Sequence, residues 1–257
     1  MRSTLVRRTV LTASAVSLAL LATACGSDKA DDKKTDAKPS AAASAPAAAA
    51  AKAKTNAELA GVIVTQADLP NHLVKEATPA EAAAAAGAKS DKPQCQPLVS
   101  VQSMNPVGTA AGTARTKAVA KPKEPAADAS PEEKAKAAMG ALAGTVTSVT
   151  LASYEGQGAQ EAFAAVKTAG TACAGGYAGS QGGDGLKITK VAPGASVTAG
   201  DEALAYTVTG DADGETMTME LVAVRKGNTV ATFSALSLAG TAEQPKAVVD
   251  AQVKKLG

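Results

Sequence analysis

Apolar residues fall into three regimes along the 257-residue chain. From Val10 to Ala24 they run almost unbroken, interrupted by Thr12, Ser14, Ser17 and Thr23. From residue 26 to about 54 the chain is Ala, Lys, Asp, Ser and Pro with almost nothing bulky to bury, which predicts a solvated linker. From residue 55 onward short periodic patterns take over. Thr145 to Tyr154, rich in Thr and Val, reads as a strand. Gly158 to Cys173 is the clearest helix, with Ala159, Phe163, Val166, Gly170 and Cys173 recurring on one face. Gly175 to Gly185 reads as a Gly-rich loop, and four strands follow it. Leu186 to Val191 ends at Pro193-Gly194; Ala203 to Thr209 puts Leu204, Tyr206 and Val208 on one face; Met217, Met219 and Leu221 alternate with Thr216, Thr218 and Glu220; Val230 to Leu238 completes the meander. Ala242 to Leu256 is predicted as an amphipathic helix with Val249, Val253 and Leu256 on its apolar face.

The region before this meander is less regular. Thr65 to Pro70 predicts a capped turn, His72 to Val74 a short strand, and Pro79 to Ala86 an Ala-rich helix opened by Thr78 and stopped by Gly87. Cys95 to Val101 predicts one or two helical turns. The polar stretch over about 108–130, with Lys117, Lys121, Lys123 and three prolines close by, is read as a long exposed loop. Ser130-Pro131-Glu132-Glu133 signals a helix start, with that helix reaching Leu142. The expected architecture is α+β: a mostly antiparallel sheet with a C-terminal meander, packed against amphipathic helices after a disordered N-terminal tether. The helices from Gly158 and Ala242 are expected to cover the sheet face bearing Leu204, Tyr206, Val208, Met217, Met219 and Leu221. Ala-rich helices pack with little side-chain volume: a gap left there would make those six residues the lining of a cleft, whereas helices seated close on the sheet would close it.

The first regime carries an address. Arg2, Arg7 and Arg8 precede the apolar run, and no acid appears before Asp28. A basic start, a short apolar stretch and small residues at its end make a secretory signal, over residues 1–24. Leu21-Ala22-Thr23-Ala24-Cys25, followed by Gly26-Ser27, resembles the lipobox of bacterial lipoproteins. That resemblance implies cleavage before Cys25 and a diacylglycerol, with palmitate-type chains, on its thiol. The protein would then sit on the outer face of the cytoplasmic membrane. Arg7-Arg8-Thr9-Val10-Leu11 is similar to the twin-arginine motif, so export by either the Sec or the twin-arginine route is open. Residues 25–54 are then the lipidated Cys25 and its linker, with an r.m.s. reach of roughly 30 Å. Residues 55–257 form one domain.

Composition narrows the chemistry. Net charge is +2, so no nucleic-acid partner is expected. With 3 Tyr, 2 Phe and no Trp, platforms for stacking bases or sugars are not expected either. Three cysteines are present; with Cys25 acylated, Cys95 and Cys173 are left in an oxidising compartment and are expected to form a disulfide. The lone His72 has no Cys or His cluster beside it and reads as a solvated loop residue. No Gly-x-Ser-x-Gly elbow holds a nucleophile. The glycines from Gly175 to Gly182 lack the Gly-Lys-Ser/Thr ending of a phosphate loop. Asp211-x-Asp213-Gly214 has Val222 where a calcium loop needs Glu, and reads as a hairpin turn. No cofactor, metal or catalytic residue is therefore assigned.

The lipobox, the tether, Val64-Thr65-Gln66-Ala67-Asp68-Leu69-Pro70 and the Phe163-bearing helix ending at Cys173 together resemble the exported sensor-like domains of the PknH-type extracellular family. The resemblance spans roughly residues 56–257 and implies an α+β domain with a cleft for a small ligand. This chain carries no kinase and fewer cysteines than members with paired disulfides. The expected function is non-catalytic: binding or sensing of a small amphiphilic ligand or a cell-wall component. The alternative is a structural or interaction protein of the envelope with no ligand pocket.

Overall fold

Residues 52–121, 125–126, 128–135, 144–181, 184–212, 214–237 and 241–257 are described by the computed structural model of the protein. The signal segment, Cys25 and most of the expected linker lie outside them. The described residues belong to one compact unit, Ala47–Gly257. All the described core residues belong to that unit, which holds its own hydrophobic clusters.

The helices are α1 (Asn56–Val62), α2 (Pro79–Ala86), α3 (Gln96–Gln102), α4 (Gly158–Ala172) and α5 (Lys246–Leu256). The strands are β1 (His72–Glu76), β2 (Lys89–Ser90), β3 (Gly112–Ala120), β4 (Thr145–Ser153), β5 (Tyr177–Gln181), β6 (Asp184–Pro193), β7 (Glu202–Ala212), β8 (Glu215–Lys226) and β9 (Thr229–Ser237). They make one nine-stranded sheet in the order β1-β3-β4-β9-β8-β7-β6-β5-β2. Every neighbouring pair is antiparallel. The α+β expectation holds. Local signals act where they were read: Thr78 and Glu81 form a capping box at α2, and Ser130 and Glu133 exchange the same two bonds before a helical turn over residues 131–135. The expected remainder of that helix, to Leu142, lies mostly outside the described residues.

Both faces of the sheet are covered. Tyr206, Val208, Met219 and Leu221 pack on one side against α3 and α4, through Leu98, Val99, Phe163 and Val166. Val149, Leu151, Val222, Val224 and Phe233 pack on the other against Leu59 of α1 and Val248 and Val249 of α5. The expectation that α4 and α5 share a face is thus corrected. In β8 every residue from Met219 to Val224 is buried, so both pleat faces need a cover, and one helical layer serves each.

Four further readings are corrected. The stretch over 108–130 is not one exposed loop: Gly112–Ala120 is β3, paired along its length between β1 and β4. Its charged residues hid it. Arg115 Nε donates to the Met104 carbonyl at 2.6 Å, and Lys117 pairs with Glu81 of α2, so each cation is satisfied at the side of the sheet. The Gly-rich loop contains β5, paired with β2 and β6. The linker ends earlier than residue 54. Lys54 N–H donates to Ser153 Oγ at 2.9 Å, and Asn228 Nδ2 donates to the Lys52 carbonyl at 2.8 Å. Gly112 makes room for this docked segment, since a Cβ there would lie 2.3 Å from the Lys54 oxygen. His72, finally, opens strand β1 half-buried rather than sitting in a solvated loop.

Candidate functional site

A groove of about 470 Å³ lies between α3 and one end of the sheet. Ile188 and Met217 are on its floor, with the buried Gly210 between them. Ile188 of β6, Gly210 of β7 and Met217 of β8 lie in one cross-strand row. A Cβ on Gly210 would stand 3.3 Å from Ile188 Cδ1 and 3.4 Å from Met217 Cγ, so any larger residue would fill the row. Val99, Gln102 and Ser103 of the α3 segment, with Ala84 and Ala88, form the facing wall. Leu186, Met219 and Leu236 complete the apolar lining.

The wall is held at both ends. Cys95 and Cys173 form the expected disulfide, with Cα atoms 5.9 Å apart, which ties the turn before α3 to the end of α4. At the other end Met104 adopts a left-handed φ of 61°, and Asn105 N–H caps the Ser100 carbonyl at 2.8 Å. The Met104 carbonyl is in turn gripped by Arg115.

Gln102 is the polar feature of the groove. Its Oε1 accepts a 2.7 Å hydrogen bond from Tyr177 Oη. Its Nε2 is buried with no partner among the described residues. Leaving such a donor unmade costs about 1–3 kcal/mol, so its persistence asks for an explanation. Burial pushes the Tyr177 hydroxyl well above its ordinary pKa, which keeps it protonated and donating. Ser103 Oγ already donates to the Val99 carbonyl at 2.7 Å. Among the described residues no Asp, Glu, Lys, Arg, His or Cys lines the groove.

Of the six residues expected to line a cleft, Met217 and Met219 do so. Tyr206, Val208 and Leu221 are buried in the core on the same face, with Leu204 packed partly buried against it. α4 seals them off. Gly170 sits against the Tyr206 ring, where a Cβ would come within 2.0 Å of Cζ. The small residues therefore closed the gap under α4, and the opening lies under α3 instead. Sequence reasoning missed Gln102, Gly210 and Leu236. One signal was present: the run of large residues Leu204, Tyr206, Val208 lapses at Gly210.

Two other hollows compare poorly. One of about 510 Å³ between α3 and α4 is lined by Gln96, Ser100, Tyr154 and Glu161, among others. Two of its polar side chains are already engaged: Gln96 accepts from the Ser90 N–H and donates to the Ala88 carbonyl, and Tyr154 Oη donates to the Val107 carbonyl. Another of about 230 Å³ holds His72 with Glu243 and Lys246. The His72 Nδ1 is unpartnered there, and burial lowers its pKa, leaving a neutral ring. Asp211 Oδ1 accepts from Gly214 N–H at 3.1 Å, as a hairpin turn requires. Among the described residues no group of three or more His, Cys, Asp or Glu could hold a metal, and no helix is long and apolar enough to cross a membrane.

Among solved structures, the fold is similar to that of the extracellular domain of PknH from Mycobacterium tuberculosis, with 12% sequence identity and a TM-score of 0.50. The match covers 80% of this chain and 97% of that one. At this identity the likeness speaks for the fold alone. No family model matches the chain, and no curated protein matches it in sequence.

Proposed function

We propose that the protein is an exported lipoprotein, anchored through Cys25 at the outer face of the cytoplasmic membrane, whose α+β domain holds a small amphiphilic molecule in the α3 groove without transforming it. The observation that carries this reading is the groove itself, a largely apolar hollow between α3 and the sheet that Val99, Leu186, Ile188, Met217, Met219 and Leu236 line. The lipobox-like Leu21–Cys25 supports the anchor, and the disulfide suits an oxidising compartment. Among the described residues the lining holds no Asp, Glu, His, Lys or Cys, which favours binding over catalysis. The alternative of an envelope scaffold without a pocket fits less well. Leu73 is the large hydrophobic side chain left exposed among the described residues, at 50%. Sensing a cell-wall component is compatible with the same groove.

Native mass spectrometry of the protein purified from cells that export it tests the reading. A co-purifying small molecule that is lost on Gly210→Val is the expected result. An empty groove together with a stable protein complex would overturn it in favour of the scaffold. The anchor is tested separately: Cys25→Ser should move the protein out of the membrane fraction, and intact-mass analysis should find acyl chains on the wild-type N-terminus. An unmodified N-terminus elsewhere would remove the anchor.

A further inference from the structure

We infer that α2 is a strap across the groove, latched by the Lys117–Glu81 ion pair, and that release of this latch governs the entry and exit of a small molecule. The inference rests on the binding reading above and gives that site its regulation.

The two walls of the groove are held differently. α3 buries Leu98, Val99, Ser100 and Val101, and the Cys95–Cys173 disulfide ties the turn before it to α4. Beyond its other end, Arg115 Nε holds the Met104 carbonyl at 2.6 Å. α2 brings Ala84 to the lining, and Ala88 follows just after it. Yet of the 8 residues of α2, Ala85 alone is buried. Its alanines offer little side-chain area to pack, and so short a helix is marginal by itself.

The strap is pinned at both ends. Before it, the Ala77 N–H donates to the Arg115 carbonyl at 3.2 Å. After it, the Ala88 carbonyl accepts from Gln96 Nε2 at 3.0 Å, and Lys89 and Ser90 pair with β5. Between these pins Glu81 has two tasks. Its Oε2 accepts from the Thr78 N–H and hydroxyl and so completes the capping box, while its Oε1 meets Lys117 Nζ. Arg115 and Lys117 stand two positions apart on β3 and hence on one face, so a single strand grips both walls. The grips differ in kind. Arg115 holds a backbone carbonyl, whereas the Lys117 and Glu81 side chains are 31% and 41% exposed. A pair so open to water is weak and screened by salt. α2 is therefore the wall that yields first.

Hydrogen exchange of the Ala47–Gly257 unit, with stopped-flow uptake and release of Nile red, tests the strap. Glu81→Gln removes the charge from the latch but keeps the cap, because Gln also serves at that position of a capping box. Lys117→Met removes the opposite charge. The α2 amides should exchange faster than those of α3 in the unaltered unit. Either variant should speed α2 exchange, dye entry and dye exit by about two- to fivefold, the worth of one exposed ion pair. The double variant should go no further, and α3 exchange should not move. Salt at about 1 M should bring the unaltered unit towards the variants. Protection of α2 equal to that of α3 would overturn the inference and leave the groove reading standing. So would α2 exchange that quickens while the dye rates stay fixed, or a double variant whose effect is the product of the two. Absence of dye binding, or binding indifferent to Gly210→Val, would overturn both.

Discussion

Gln252 Oε1 accepts a 2.9 Å hydrogen bond from the Val64 backbone N–H, across 188 residues of sequence. The same side chain donates from Nε2 to the Val62 carbonyl at 2.9 Å, and it is fully buried. One amide in the middle of α5 thus completes the backbone bonding of the segment leaving α1, inside the core that both helices share with the sheet. A second link lies at the surface, where Lys255 Nζ meets Asp68 at 2.7 Å.

Gln252→Leu keeps the volume but takes the partner from the buried Val64 N–H and from the part-buried Val62 carbonyl. The expected loss is about 2–4 kcal/mol, since each unmade group costs about 1–3. Urea unfolding of the Ala47–Gly257 unit measures it. An unchanged midpoint would mean that Val62 and Val64 find other partners.

The disulfide joins positions 78 residues apart. Chain-entropy arguments put its contribution at about 4.5 kcal/mol, so Cys95→Ala/Cys173→Ala should lower the thermal midpoint strongly. A thiol assay on the unfolded, unreduced unit should detect no free thiol. Detection of two would refute the pairing.

Gly170 lets α4 lie on Tyr206, whose Oη donates to the Lys167 carbonyl at 3.1 Å. Gly170→Ala should destabilise by about 1–3 kcal/mol, because the clash outweighs the roughly 1 kcal/mol that Ala gains in helix propensity. Adding Tyr206→Leu should recover much of the loss, a non-additivity that a double-mutant cycle reads directly.

The pH dependence has two opposing parts. Asp68 is held down from 3.8 to about 2, first by the hydrogen bond from Lys255 and then by the Thr65 N–H and hydroxyl. A depressed folded pKa stabilises above the unfolded value and is lost as pH falls through the folded one. Asp68→Asn should therefore flatten the acid limb of the stability curve between pH 3.8 and about 2. Glu220 is raised instead, first by burial, with the Thr207 hydroxyl acting the other way. Its folded form disfavours the charge, so stability falls as pH rises through its folded pKa. Glu220→Gln should stabilise at pH 7, and the gain should vanish once the pH is below the unfolded value of 4.5. Urea midpoints at the two pH values decide it.

Period and punctuation made much of the domain legible. Leu204, Tyr206 and Val208, and again Met217, Met219 and Leu221, share one sheet face because side chains alternate along a strand whatever the context. Thr78 opens α2 and Gly87 follows it, because capping is a matter of three or four neighbouring residues. Cys95 and Cys173 could be paired by elimination. Each of these is decided within the reach of local geometry or by counting.

What the tertiary structure decided are matters of who arrives from elsewhere. Helical periodicity says which face of α5 is buried but not which side of the sheet receives it; the burial of both faces of β8 settles that. The stretch holding β3 reads as a loop because Lys117 and Lys121 count as solvated charges, and their partners, Glu81 and the Pro70 carbonyl, come from distant parts of the chain. The groove follows the same rule. Gln102 is an ordinary polar residue at the end of a short helix until Tyr177, 75 residues later, takes one end of its amide and leaves the other bare. A strand's pattern is set by its own backbone, whereas a cavity is a difference between surfaces that only packing brings face to face.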